Sequence, residues 1–124
     1  MFRVRVEADF AAAHRIVHYH GKCERVHGHN YKVRVWVSGE ALGDGGMLVD
    51  FSILKGALKL IIEESLDHRD LNEIPDFEDD PSAERIARYL YSRLSFALPS
   101  IKISAVDVYE TPTSMASYSP SPEK

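Results

Sequence analysis

A chain of 124 residues with 44% hydrophobic and 27% charged residues is sized for one soluble domain around one core. Its net charge of −4 does not favour nucleic acid, and no apolar run is long enough to span a membrane. The single cysteine, Cys23, excludes an intrachain disulfide. The N-terminus alternates Phe2, Arg3, Val4 and Arg5 and lacks the apolar stretch of a secretory signal, so the expected compartment is the cytoplasm.

Charge is uneven along the chain. Residues 1–40 hold seven Lys/Arg and four Asp/Glu, a balance of +3, whereas residues 41–124 hold eight and fifteen, a balance of −7. A basic first third suits a small polyanionic substrate, although for most of these residues singly a solvated strand face is the plainer reading.

Residues 2–7 alternate, with Phe2, Val4 and Val6 on one face and Arg3, Arg5 and Glu7 on the other, the pattern of a half-buried strand. Residues 31–37 repeat it with Val33, Val35 and Val37 against Lys32, Arg34 and Trp36. The stretch between them is dense in histidine and reads as irregular. Gly39 to Gly46 is rich in turn formers, and Asp44-Gly45-Gly46 reads as a hairpin turn, lacking the signature of a phosphate loop.

From Asp50, an N-cap, the period becomes helical: Phe51, Leu54, Leu58, Ile61 and Ile62 predict an amphipathic helix to about Leu66. A loop over 69–80 follows. A second helix is predicted from Asp80-Pro81, a cap and a first-turn proline, with Ala83, Ile86, Ala87, Leu90, Leu94 and Ala97 as its stripe and Pro99 as its end. Ile101 and Ile103, then Val106 and Val108, predict a strand with a phase change and a bulge. Residues 114–119 predict a short last strand, and 120–124 a frayed tail beyond a single domain of 1–119.

The order strand, strand, helix, helix, strand, strand is that of an α+β domain, an antiparallel four-stranded sheet covered by helices on one face. Two open sheet edges are a liability that a homo-oligomer continuing the sheet between subunits removes.

Five of the six histidines fall between positions 14 and 29. His27-Gly28-His29 is the sharpest feature, because residues two apart in an extended segment point to one side. His14, at the end of the first strand, supplies a third imidazole if the first two strands are neighbours. Three neutral imidazoles with one open position make a catalytic zinc site, whose charge the ligands leave undiminished. The plainer alternative is a set of surface histidines. His18 and His20 are left to line a pocket or face solvent.

Cys23 lies four residues before His27, and Lys22 and Arg25 beside it favour a thiolate able to act as base or nucleophile. A small buried hydrophobe or a zinc ligand are its other readings. Asp67-His68 pairs a carboxylate with an imidazole for proton transfer, or places a histidine at a helix C-terminus. Glu110, after the strand to Tyr109, is suited to accept two hydrogen bonds from a guanidine-like ring edge; alone it reads as an exposed loop acid.

Together Phe10-Ala11-Ala12-Ala13-His14, Cys23-Glu24-Arg25-Val26-His27-Gly28-His29-Asn30-Tyr31, Val49-Asp50-Phe51, Leu66-Asp67-His68-Arg69-Asp70-Leu71-Asn72, Pro81-Ser82-Ala83-Glu84 and Tyr109-Glu110-Thr111 resemble the 6-pyruvoyl-tetrahydropterin synthase / 6-carboxytetrahydropterin synthase family over nearly the whole chain. The resemblance implies the tunnelling fold (T-fold), with subunits closing into a trimeric barrel and two trimers stacking into a hexamer. It implies zinc on His14, His27 and His29. Cys23, Asp67 and His68 are then the proton-transfer group, the Asp67–His68 pair reaching the site from a neighbouring subunit. Glu110 anchors the pterin ring, and Ser82 stands near it where the family often has threonine.

The implied activity is that of a lyase on 7,8-dihydroneopterin triphosphate, giving 6-carboxy- or 6-pyruvoyl-tetrahydropterin. A prokaryotic queuosine or archaeosine precursor pathway is the first choice over a tetrahydrobiopterin-type one. A folate-pathway subgroup making 6-hydroxymethyl-dihydropterin uses Glu in place of Cys, and this chain has Cys23 and Glu24 side by side, so the product stays open. A non-catalytic zinc-binding oligomeric module is the remote alternative. The joint presence of Cys23, Asp67–His68 and Glu110 argues against it.

Overall fold

The structure is a computed structural model and describes residues 1–20 and 25–121. Lys22, Cys23, Glu24 and the end of the expected tail, 122–124, lie outside the described residues.

Among the described residues, β1 (Phe2–His14) and β2 (His27–Gly39) form an antiparallel ladder paired without interruption from Phe2↔Gly39 to His14↔His27. Both are longer than the alternation predicts, and the histidine stretch is strand rather than irregular up to His14 and again from His27. The alternation itself continues: Val6, Ala8, Phe10, Ala12 and His14 are buried on β1, and Tyr31, Val33, Val35 and Val37 on β2.

A short 3₁₀ turn at Asp44–Gly46 leads into α1 (Phe51–Ser65). It is therefore a strand-to-helix connection and not the expected hairpin turn. Gly45 and Gly46 both have φ of 70°, a conformation that glycine adopts without steric cost. The Asp50 carboxylate accepts from the Ser52 N–H at 2.8 Å, confirming it as the N-cap of α1. Leu54, Leu58 and Ile62 face the core one turn apart, while Phe51 is exposed.

The connector after α1 was expected to be loop. Its Arg69–Asp70 instead forms β3, two residues parallel to Ala12 and Ala13 of β1, making the sheet five-stranded. Helix α2 (Ala83–Ala97) starts two residues later than expected: its N-cap is Ser82, whose hydroxyl oxygen accepts from the Arg85 N–H at 3.2 Å. Asp80 is therefore not a cap, and Pro81 precedes the helix. Ile86, Ala87, Leu90 and Leu94 are buried as expected, with Tyr89 in addition, whereas Ala97 is exposed.

Strand β4 (Ile103–Thr111) pairs with β2, and the expected bulge is present: Trp36 faces Ala105 while Val37 faces Ile103, leaving Ser104 extra. β5 (Ser114–Tyr118) completes the order β3-β1-β2-β4-β5. α1 lies against β1, and α2 against β4 and β5. β1 is partnered beyond β2 only at Ala12 and Ala13, so most of its outer edge and that of β5 are open. No helix among the described residues is long and apolar enough to cross a membrane.

Leu58 is fully buried between helix and sheet. Leu58→Ala should cost about 2–5 kcal/mol in urea denaturation, the scale of a leucine-sized core cavity. A cost within about 0.5 kcal/mol, the range of surface substitutions, would contradict this packing.

Candidate metal centre

The register that pairs His14 with His27 places both imidazoles, and His29 two residues on, on the helix-covered face of the sheet. The rings lie edge to face, with centroids 4.6, 5.0 and 4.8 Å apart for the pairs 14–27, 14–29 and 27–29. One nitrogen from each falls within 4.8 Å of the others, so the three histidines could hold a metal ion.

Carbonyl partners place a hydrogen on Nδ1 in two of these rings. His14 Nδ1 lies 2.8 Å from the Pro81 carbonyl oxygen and His27 Nδ1 lies 2.6 Å from that of Arg25. A carbonyl only accepts, so both Nδ1 atoms carry a hydrogen, and in the neutral rings both Nε2 atoms present lone pairs. Those two lone pairs face each other at 3.1 Å. His29 Nε2 is buried with no hydrogen-bond partner among the described residues. In the neutral rings, two opposed acceptors beside an orphaned nitrogen are satisfied by a positive charge placed among them, a metal ion or a proton.

Glu110 supplies a negative charge at the same point. It lies inside β4 rather than after it, one-third exposed, with Oε1 3.2 Å from His14 Nε2 and 3.8 Å from His29 Nε2. Burial opposes protonation of His14, but the hydrogen bond to Glu110, the Pro81 carbonyl and the Glu110 charge together raise its pKa above the ordinary 6.5. Burial lowers that of His29, helped by His14 and His27 and opposed by Glu110. When His14 is protonated, the hydrogen bond from its Nε2–H holds the Glu110 carboxyl below its usual range against burial, with the charges of His14, His29 and His27 adding.

Tyr31, which sequence reasoning passed over, is fully buried, stacks on Phe10 at 4.7 Å and sets its hydroxyl 3.2 Å from His14 Nδ1. Burial, with the Glu110 charge, raises its pKa and keeps it a neutral phenol.

The connector between α1 and α2 runs beside β1 and holds it contact by contact. Asp67 Oδ1 accepts from the Ala11 N–H at 3.0 Å, and the His68 N–H donates to the Ala11 carbonyl at 2.6 Å. Asn72 accepts from the Arg15 N–H at 2.8 Å and donates to the Arg15 carbonyl at 2.9 Å. These contacts leave Asp67 Oδ2 on His68 Nδ1 at 3.0 Å, with the His68 ring 83% exposed and its backbone left-handed at φ 58°. The Ala11 N–H first, against burial, and then His68 keep the Asp67 carboxyl below its usual range.

His68 and His29 share an open cleft of about 530 Å³ with Ala11, Gly28, Asn30 and Arg69. A neighbouring cavity of about 570 Å³ is lined by Asp67 and His68 together with Tyr31, Lys32 and Arg34. The structure thus brings His14, His27, His29 and Glu110 together, and of the Asp67–His68 dyad His68 shares a cleft with one of them, His29. Ser82 follows the Pro81 that holds His14, and Cys23 and Glu24 lie outside the described residues. His18 pairs with Asp80, Nδ1 to Oδ2 at 2.7 Å.

The sequence pattern of the family described as 6-pyruvoyl tetrahydropterin synthase matches residues 3–121. The 6-carboxy-5,6,7,8-tetrahydropterin synthase of Synechocystis is 38% identical over 123 residues, 95% of this chain and 93% of that protein. The human 6-pyruvoyl tetrahydrobiopterin synthase is 35% identical over 124 residues, 89% of this chain and 86% of that protein. The structure of the Caenorhabditis elegans 6-pyruvoyl tetrahydropterin synthase superposes with a TM-score of 0.85 at 29% identity, covering 97% of this chain and 96% of that one.

Imidazole ligation makes metal affinity depend on pH with a defined sign. His14 has a raised pKa, so protons compete for it above pH 6.5. Affinity for a divalent cation should therefore climb as pH rises through and beyond that value, with proton release on binding. In the metal-free protein the same group stabilises fully below pH 6.5, and this contribution fades as pH rises through its raised pKa. Titration calorimetry at several pH values checks the first point; an affinity independent of pH would contradict it.

Proposed function

This chain belongs to the 6-pyruvoyl tetrahydropterin synthase family and is an enzyme, a lyase of that type, and on that premise we propose that it converts 7,8-dihydroneopterin triphosphate to 6-carboxy-5,6,7,8-tetrahydropterin at a zinc centre. The observation that carries the metal reading is the opposed pair of Nε2 lone pairs on His14 and His27 beside the unpartnered Nε2 of His29. An all-nitrogen set of three suits zinc over calcium or magnesium, which prefer oxygen. The 38% identity to the Synechocystis 6-carboxy-5,6,7,8-tetrahydropterin synthase supports the choice of product.

His14, His27 and His29 would hold the zinc, which when bound supplies a Lewis acid for the side-chain oxygens of the substrate. The remaining work falls to this chain's own groups. Cys23, as thiolate, takes the proton from carbon. His68, with Nδ1–H directed onto Asp67, offers Nε2 to take up or return a proton, and the exposure of its ring supports service to a site completed by a neighbouring subunit. Glu110 accepts two hydrogen bonds from the donor edge of the pterin, and its partial exposure beside the histidines supports that role. Ser82 adds a hydroxyl near the ring. The two open sheet edges support barrel closure and a hexamer. A queuosine-type precursor pathway in the cytoplasm is the setting consistent with this product.

Incubation of zinc-loaded protein with 7,8-dihydroneopterin triphosphate, followed by mass identification of the pterin, tests the proposal. The expected product is 6-carboxytetrahydropterin. Cys23→Ala should lose about a hundredfold or more in turnover, the scale of a general base, with zinc content intact. Glu24→Ala should be mild. The reverse pattern, with 6-hydroxymethyl-dihydropterin as product, would overturn both the product and the base.

A further inference from the structure

Asp80, whose sequence context suggested a helix cap, makes a different set of contacts. Its Oδ1 accepts from two consecutive main-chain donors of the segment leaving β1, the N–H of Val17 at 2.7 Å and of His18 at 3.0 Å. Its Oδ2 takes His18 Nδ1 at 2.7 Å. The next residue, Pro81, is buried and directs its carbonyl onto Nδ1 of His14. The preceding residue, Asp79, is tied through its carbonyl to Asn72 Nδ2 at 3.0 Å, and the same amide holds Arg15. Residues 79–81 and 14–18 are thus fastened together on both sides of the His14–Pro81 hydrogen bond.

That hydrogen bond selects the His14 tautomer whose Nε2 faces the centre. If residues 79–81 draw away, Nδ1 keeps only the Tyr31 hydroxyl, which can donate as well as accept, so the ring populates both tautomers and the ligating lone pair is present only part of the time. The Asp80 side chain is the fastening next to the Pro81 carbonyl. The backbone N–H of Ser82, donating to the Asp80 carbonyl at 2.9 Å, makes the 80–82 turn move as a unit with it.

We propose that Asp80 is a positioning residue of the metal centre, holding the Pro81 carbonyl on His14 by binding the main chain of residues 17 and 18. The role is assigned to the carboxylate's acceptor geometry and not to its charge. It rests on the metal-centre reading above.

Zinc affinity by competition with a fluorescent chelator, together with ¹⁵N spectra of the histidine rings in metal-free protein at a pH where His14 is neutral, tests it. Asp80→Ala should weaken zinc binding about tenfold or more, the scale of losing an outer-shell partner, and convert the His14 signals from one tautomer to a mixture. Asp80→Asn keeps an oxygen for the two N–H groups and should rescue both readouts. His18→Ala keeps those main-chain bonds and should leave both readouts near wild type. Asp80→Ser, turn-compatible but too short to reach residue 17, replaces the alanine variant if that fails to fold. An alanine or serine variant that melts earlier yet keeps wild-type affinity and a single His14 tautomer would overturn the proposal, as would failure of Asp80→Asn to rescue. Wild-type protein that binds no zinc would sink the metal reading instead, leaving the tautomer spectra to judge Asp80.

Discussion

The main-chain register of β1 and β2 is the constraint on which the centre depends. Thirteen pairs in unbroken antiparallel register set His14 opposite His27, and the two-residue period then puts His29 on the same face. A slip of one residue would turn His14 toward the other face of the sheet and expose the valines that hold α1 and α2. The hydrophobic core and the candidate metal centre therefore have one origin. The apolar residues that fix the register, Val6, Phe10, Val33 and Val35, thereby also fix the distance between two imidazoles at the end of the ladder.

Register alone brings nitrogens together without choosing their protonation. The connector between the helices does that for His14. It runs alongside the end of β1 and the segment leaving it, from Ala11 to His18, meeting main-chain groups with Asp67, Asn72 and Asp80 and closing on His14 through the Pro81 carbonyl. Carboxylates and an amide that bond to main chain leave the imidazole rings free to present their other nitrogen inward. Glu110 arrives from β4, and the raised pKa of His14 and the lowered pKa of Glu110 both follow from the pair these two groups form.

Much of this was legible in the sequence, unevenly. The histidines, the Asp67–His68 pair, the Asp50 cap and the Ser104 bulge were predictable, because each leaves a local signal of spacing or phase. The extent of β1 and β2 was not. Ala11, Ala12 and Ala13 carry no contrast between faces, and histidine counts as polar although His14 is 1% exposed. β3 is two residues long and exists because β1 offers its edge, so no alternation announces it. Asp80-Pro81 has the form of a helix start, but the N–H groups of residues 17 and 18 claimed the carboxylate, and Ser82, an equally good cap, took over the helix. The approach of Glu110 to His14 joins residues far apart in sequence and follows only from strand order.

The candidate centre is therefore a cluster of three imidazole nitrogens made by a strand register and held by a connector, and it could hold a metal ion. X-ray absorption at the zinc K-edge of the zinc-loaded protein tests this most directly. The account predicts three imidazole nitrogens at about 2.0–2.1 Å and a fourth light-atom ligand, with no sulfur. A sulfur scatterer at about 2.3 Å, or a shell made only of oxygens, would contradict it.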